Sequence, residues 1–587
     1  MSESRITNLV TRVQEGELNR RDFLIKAGAA GMTATMLSSM LVDRAMAAPS
    51  GGTSRYIVNQ IDAKTLVIAD TISGGDWLTL DPAWYYEINP TMAMFVIYEP
   101  LYYSPDGSDP TAIQPLLADG MPALSDDLLT ATVKLRQDIT FANTGNPMTA
   151  DDVIFSFNRL AATQFQPSFL ATDYWTEVKK VDDYTIEFTL AAPNSGLAAV
   201  LSSTPLSITD SKQVMEFGGT TDKPTYADDA TDDEKAADAS IIANKDAQEL
   251  INNTSVGTGP YVVDQWDLTS SVILVANPNY WGEPPKFDQI IFTNVTEANA
   301  QLQAVQTGDA DIAYSLNPDS AASVQEDPNL QLIEGPTLAL QYLAMNLNPE
   351  RGGAVSNPQV RQAIAHAINY QSIIDNILLG AGVRPALPIP LPLPGSEAML
   401  EFAYQYDLAK AQELWDASGV GEQEIEITYD SDSVGEGGVN LETLATAVKA
   451  DIEAINGAKV VLAPLPGTER IGNYRNKDFQ ATISPWTPDY PDVDTYATPF
   501  FRSETAAAAR VGYSNPEVDA LLDQGLAETD PAKREEIYLQ IQQLVLPDTP
   551  YVVLYQPIDR KPANVAVQDV TVHPMYILNL RNGSKTE

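Results

Sequence analysis

Residues 257–281 read GTGPYVVDQWDLTSSVILVANPNYW, and the architecture turns on whether the glycines at their head cradle a phosphate or turn the chain. A phosphate loop needs Lys-Ser/Thr after its last glycine and a helix beyond it. Here Pro260 and Tyr261 follow, then two runs rich in β-branched and aromatic residues, YVVDQW and VILVAN, separated by a short polar turn. The glycines therefore permit a tight turn into a β-hairpin, and Asn277-Pro278-Asn279-Tyr280-Trp281 is a second turn that carries aromatics onto the sheet.

Working towards the N-terminus, DDYTIEFTL (Asp182 to Leu190) alternates as a strand. The run 221–249, rich in Asp, Ala and Thr, lacks the glycine and alternation of a calcium loop and reads as a solvated helix or insertion. Thr149-Ala150-Asp151-Asp152 is a capping box, and Val153, Phe157 and Leu160 follow on one helical face, with Arg159 expected in a structural ion pair. Further back, the strand TLVIA (Thr65 to Ala69) precedes DWLTLDP, the aromatics Trp84, Tyr85 and Tyr86, and a helix ending at Tyr98-Glu99-Pro100-Leu101.

Towards the C-terminus, Thr296 is expected to cap a helix that ends at Gly308-Asp309-Ala310-Asp311. A strand at Tyr342 to Asn346 and an Asn357-Pro358 helix start with a Val360, Ala363, Ile364, Ala367 stripe come next. After the proline run Pro385 to Pro394, Asp407 opens another helix. A βαβ pattern follows: EIEITYD, a helix from Leu441 to about Ile455, then KVVLAPL. The strand FQATISPW precedes helices at Asn515-Pro516 and Asp530-Pro531 and a buried strand at Tyr551 to Tyr555.

At 587 residues the chain is long enough for two or more lobes. It carries 79 Asp+Glu against 35 Lys+Arg, a net charge of −44, so nucleic acid and anionic membrane surfaces are excluded as main partners. The acids are spread along the whole chain, which favours solubility in salt over a preference for cationic ligands. With no cysteine there are no disulfides and no thiolate sites, and two isolated histidines supply no metal centre. A GxSxG elbow and a dinucleotide fingerprint are also lacking. Binding without catalysis or cofactor is the expectation; a paired-carboxylate hydrolase stays as the alternative.

The N-terminus is expected to be an export signal over residues 1–47. Asn19-Arg20-Arg21-Asp22-Phe23-Leu24 and Lys26 resemble the twin-arginine motif, an Ala- and Gly-rich apolar run follows, and Ala45-Met46-Ala47 suits a signal peptidase; an uncleaved anchor is the other reading. With no cysteine for a lipid tether, a free periplasmic location follows.

SPWTPDYPDVD, Ser484 to Asp494, sets carboxylates beside aromatic rings and stiffening prolines. Such a loop is either a surface turn anchored by Trp486 or a receptor for a cation on an organic body, with Asp489 as first contact.

The Leu-Asp-Pro turn, YEPL, TADDVIFSFNR, GTGPY with NPNYW, GDAD and VRQAIAHAIN, taken in order, resemble the solute-binding proteins of peptide/nickel-type ABC importers. The resemblance implies an α/β, two-lobed periplasmic binding protein fold with mixed sheets, a two-strand hinge and an extra subdomain in the first lobe. Residues 54–335 would form the first lobe, 336–556 the second, and 557–587 the return to the first. It implies capture of an oligopeptide or similar amino-bearing solute by hinge closure and delivery to a membrane permease by a monomer. An oligosaccharide, opine or metal chelate is the alternative cargo. Peptide binders of this family hold the ligand's α-amino group with the aspartate of a W-x-x-D segment, which Trp486 and Asp489 match. Tyr490, Trp84, Tyr85 and Tyr86 are candidate ring contacts, with core packing as the other reading of the first-lobe rings, and Arg384, Arg470 and Arg475 are candidates for a ligand carboxylate, with a surface charge as the other reading of each; no catalytic or metal-binding residue is assigned.

Overall fold

The computed structural model describes residues 63–75, 77–226 and 230–586. Residues 1–47, where an export signal is expected, lie outside them. A mixed 12-stranded sheet runs through both halves of the fold. In the first half the hairpin Tyr261–Asp267/Ser271–Ala276 pairs antiparallel with Gln289–Asn294, which lies parallel to Thr65–Asp70, itself parallel to Ile312–Ala313. In the second half Leu340–Met345 pairs antiparallel with Ala481–Trp486, and the βαβ unit supplies Gln423–Asp430 and Ala458–Leu465 in parallel.

One strand, Tyr551–Asn564, belongs to both halves. Its first part pairs with Leu340–Met345 and its last part with Leu330–Pro336. Fourteen residues at about 3.3 Å each reach roughly 46 Å, well beyond an average strand. The sequence reading places a buried strand at Tyr551 to Tyr555 only. The structure extends it: Pro557 lies opposite Gly382 and Pro562 opposite Leu332, where the strand has changed partners. This strand and the segment 330–345 are the two connections that carry sheet pairing from one half to the other.

A separate four-stranded antiparallel sheet in the first half, ordered 123–124, 130–134, 185–190, 175–182, packs on the helix Ala150–Thr163 and forms the extra subdomain. The strand read as Asp182 to Leu190 is in fact the second arm of a hairpin; Asp182 accepts from the Tyr184 amide (2.9 Å) and turns the chain. The helix starts as its sequence dictates, the Asp152 carboxylate accepting from the Thr149 amide at 2.8 Å, with Val153, Phe157 and Leu160 buried. From it Arg159 forms a buried bidentate pair with Asp81 of the Leu-Asp-Pro turn (2.8 and 2.6 Å). The later helix is Ala298–Thr307, with Glu297 rather than Thr296 at the cap.

The short motifs converge on one buried carboxylate. Glu99 accepts from Thr258 (2.7 Å), Tyr280 (2.8 Å), Trp281 (2.8 Å) and Arg581 (2.8 Å). The glycines of GTGPY have no positive φ. They are needed for close approach: a Cβ on Gly257 or Gly259 would lie 2.4 Å from the carbonyls of Ile97 and Val96, the end of the fully buried helix Thr91–Ile97.

Candidate functional site

A cavity of about 1230 Å³ separates the two halves. Its walls are Tyr85–Asn89 and Tyr314–Pro318 from the first half, Ser431–Gly438 and Thr487–Asp489 from the second, and Pro557–Lys561 of the crossing strand. It exceeds the roughly 300–1,000 Å³ of small-molecule clefts.

Asp489 is delivered by the strand Ala481–Trp486 and the stiff Thr487-Pro488 step. Its Oδ1 accepts from the Tyr86 hydroxyl at 2.8 Å, and its carbonyl accepts from Ser203 Oγ at 2.8 Å, so it touches the first half twice. The backbone amide donates to Thr495 Oγ1 (3.2 Å). Burial pushes the carboxyl up to about 6 despite the opposing Tyr86 bond. Among the described residues no cationic side chain pairs with it.

The other carboxylates of SPWTPDYPDVD are engaged in structure. Asp492 holds Arg534 in a bidentate pair (2.6 and 2.8 Å), and Asp494 accepts from Tyr490 at 3.1 Å.

The remaining predicted residues separate. Trp486 packs edge-on against Phe500 (4.8 Å) as a core anchor and is not on the cavity wall. Tyr490 is buried, shares a 2.9 Å hydrogen bond with Tyr174, and packs into the subdomain core of the first half, so it joins the halves beside the cavity. Trp84 lies against Phe165 (5.3 Å), away from the wall. Tyr85 is on the wall, its hydroxyl tied to Thr91. Tyr86, the most exposed of the three, is the ring that reaches Asp489.

None of the predicted arginines is a wall residue, although the Arg475 charge reaches the Tyr86 hydroxyl, where it opposes the rise caused by burial and by Asp489. Arg384 is buried, with its guanidinium 3.4 Å from the Tyr370 ring centre and a 2.6 Å bond to the Tyr404 carbonyl; burial lowers its pKa. Arg475 is exposed at the end of the helix Gly467–Arg475, and Arg470 of that helix is buried in a pair with Asp430. The basic groups on the wall are Arg560 and Lys561 of the crossing strand, which the sequence reading left outside the site. Both are paired: Arg560 with Glu334 at 2.7 Å and Lys561 with Asp559 at 3.1 Å. Lys561 also sits 4.1 Å over Tyr314.

The loop Ser431–Gly438 supplies Glu436, which the sequence reading also missed. Gly437 and Gly438 have φ of 73° and 75°, and a Cβ on Gly438 would lie 2.7 Å from the Leu316 carbonyl of the opposite half. These glycines let the loop close against the first half. Burial, then Asp559, raises Glu436 to about 7, with Lys561 opposing.

Chemically the cavity offers carboxylates and hydroxyls for binding. Among the described residues no group of three or more His, Cys, Asp or Glu side chains is placed to hold a metal ion, and no helix is long and apolar enough to cross a membrane. His573 stacks on Tyr576 (4.3 Å) and burial pushes it down to about 4; His366 bonds the Gln405 carbonyl (2.9 Å).

The chain is similar to an Escherichia coli protein named "Probable D,D-dipeptide-binding periplasmic protein", 28% identical over 513 residues that cover 86% of this chain and 92% of that one. It is 26% identical to heme-binding protein A of Haemophilus influenzae over 486 residues, 79% and 82% of the two chains. Among solved structures, the periplasmic binding protein DppA of Helicobacter pylori in complex with the peptide STSA superposes with a TM-score of 0.71 at 23% identity, over 89% of this chain and 98% of that one. That match is of fold, two lobes included. Residues 112–508 match the family model described as "Bacterial extracellular solute-binding proteins, family 5 Middle". The match spans more than half of the chain, and this protein belongs to the family 5 bacterial extracellular solute-binding proteins.

Proposed function

We propose that this solute-binding protein is a periplasmic receptor for an oligopeptide or similar amino-bearing solute, which it hands unchanged to the membrane permease of an ABC importer. In this reading residues 1–47 direct twin-arginine export, and the monomeric protein closes residues 336–556 on 54–335 and 557–587. One observation carries the proposal: the Asp489 carboxylate stands on the wall of the cavity and, among the described residues, has a single hydroxyl partner and is in no ion pair. A half-buried carboxylate in that state is costly, and a ligand ammonium removes the cost with a charge-assisted hydrogen bond. Because Asp489 also bonds Tyr86 and Ser203 of the other lobe, a ligand at this point favours the closed state through its contacts to both lobes. The peptide-named relative and the peptide-bound structural neighbour support the choice of cargo.

The test is mass spectrometry of small molecules released by denaturing natively purified protein. A set of mixed short peptides upholds the reading. A single sugar, opine or chelate overturns the cargo, and turnover of added peptide overturns the non-enzymatic role.

A further inference from the structure

The cavity wall carries more negative charge than one α-amino group balances. Glu87, Glu436 and Asp489 all line it, all are half-buried, and none is in an ion pair among the described residues. Both wall cations are already matched, Arg560 by Glu334 and Lys561 by Asp559. Glu87 neighbours Tyr86 and so belongs to the Asp489 end. Glu436 stands elsewhere, beside the crossing strand. Its backbone is fixed, the amide donating to Gln341 Oε1 (3.2 Å) and the carbonyl accepting from the Tyr555 hydroxyl (3.0 Å), while its carboxylate accepts no hydrogen bond from a described residue. Asp559 and Lys561 are the charges that act on it, and they are paired with each other. Buried Tyr496 lies within the field of both Asp489 and Glu436: burial first, then both carboxylates, push its hydroxyl up.

We propose that the captured solute carries a second positive charge, held by Glu436 at the hinge side of the cavity while Asp489 holds the first. The chemical class is a peptide with a lysine- or arginine-type side chain, or a diamine. This inference rests on the receptor reading above and adds the charge of the cargo. The physical reason is specificity by difference: an uncharged side chain would leave Glu436 desolvated and unmatched, whereas an ammonium or guanidinium completes it.

The experiment is calorimetric titration of the full chain at pH 7.5 with Ala-Lys-Ala, with its uncharged isostere Ala-norleucine-Ala, and with 1,5-diaminopentane. Ala-Lys-Ala is expected to bind roughly tenfold or more tighter than the norleucine peptide. Glu436→Gln should reduce that ratio to within about threefold, and Glu436→Asp, which keeps the charge, should retain most of it. Asp489→Asn should weaken both peptides. Equal affinity of the two peptides for the wild-type protein overturns the second charge and leaves the peptide reading standing. Binding of the diamine alone, lost in Glu436→Gln, overturns the peptide reading and upholds the doubly charged cargo. Binding of none of the three overturns both.

Discussion

Replacing Asp489 by Asn keeps the shape of the side chain and its acceptor for the Tyr86 hydroxyl, and removes only the charge that faces the cavity. A hydrogen bond to a charged group contributes about 1.5–3 kcal/mol, so affinity for an amino-bearing peptide should fall roughly ten- to hundredfold. The same carboxylate sets a pH dependence. It titrates at about 6, and a ligand cation binds its ionised form, so binding expels the proton and affinity rises with pH until the group is ionised. Between pH 7 and pH 5 the ionised fraction, and affinity with it, should drop about tenfold. In Asp489→Asn that step disappears, and any remaining step near pH 7 belongs to Glu436. Stability moves the other way. Burial raises the folded carboxyl above its unfolded value, so ionising Asp489 costs stability that grows as pH rises towards and through about 6. Ligand-free Asp489→Asn should therefore unfold at no lower temperature than wild type at pH 7.5. Calorimetric titration at pH 5, 6 and 7.5, with thermal unfolding as the folding control, checks all three. Unchanged affinity with an unchanged pH profile would remove Asp489 from the site.

Tyr86→Phe should weaken ligand binding by less than Asp489→Asn, roughly three- to tenfold, because the hydroxyl that orients the carboxylate is lost while the charge that meets the ligand is kept; titration with the same peptide measures it. Gly438→Ala places a Cβ against the Leu316 carbonyl at positive φ, so ligand-bound protein should stay more open, read as a larger radius of gyration by small-angle scattering than wild type with the same ligand. Arg159→Leu leaves Asp81 buried without its partner and should lower unfolding free energy by about 3–5 kcal/mol; a loss under about 1 kcal/mol in denaturant titration would refute the structural weight placed on that pair.

Local chemistry made much of the fold legible. The Thr149/Asp152 box, the Asn357-Pro358 and Asp530-Pro531 starts, and the apolar stripe of Val360, Ala363 and Ile364 all sit where their short-range physics puts them. The hairpin after Gly259 and the βαβ unit follow from periodicity over a few residues. The crossing strand was only half legible, because prolines that normally end a ladder are tolerated where a strand exchanges one partner for another.

The site was less legible, for a reason that lies in the number of acids. Sequence alone determined that the chain is acidic and lacks cysteine, and a carboxylate beside aromatic rings, together with the family resemblance of its W-x-x-D segment, made Asp489 the first candidate. Only the tertiary structure decided which charges remain free. Asp492 and Asp494 in the same segment are consumed by Arg534 and Tyr490, and Arg384 and Arg470 by Tyr370 and Asp430. Tyr86 meets Asp489 from 403 positions away, and Glu436 faces the crossing strand from a glycine-rich loop with no motif of its own. Pairing and burial of charge are properties of neighbours in space, and in a chain with 79 carboxylates no local pattern marks the few that folding leaves unmatched on a cavity wall.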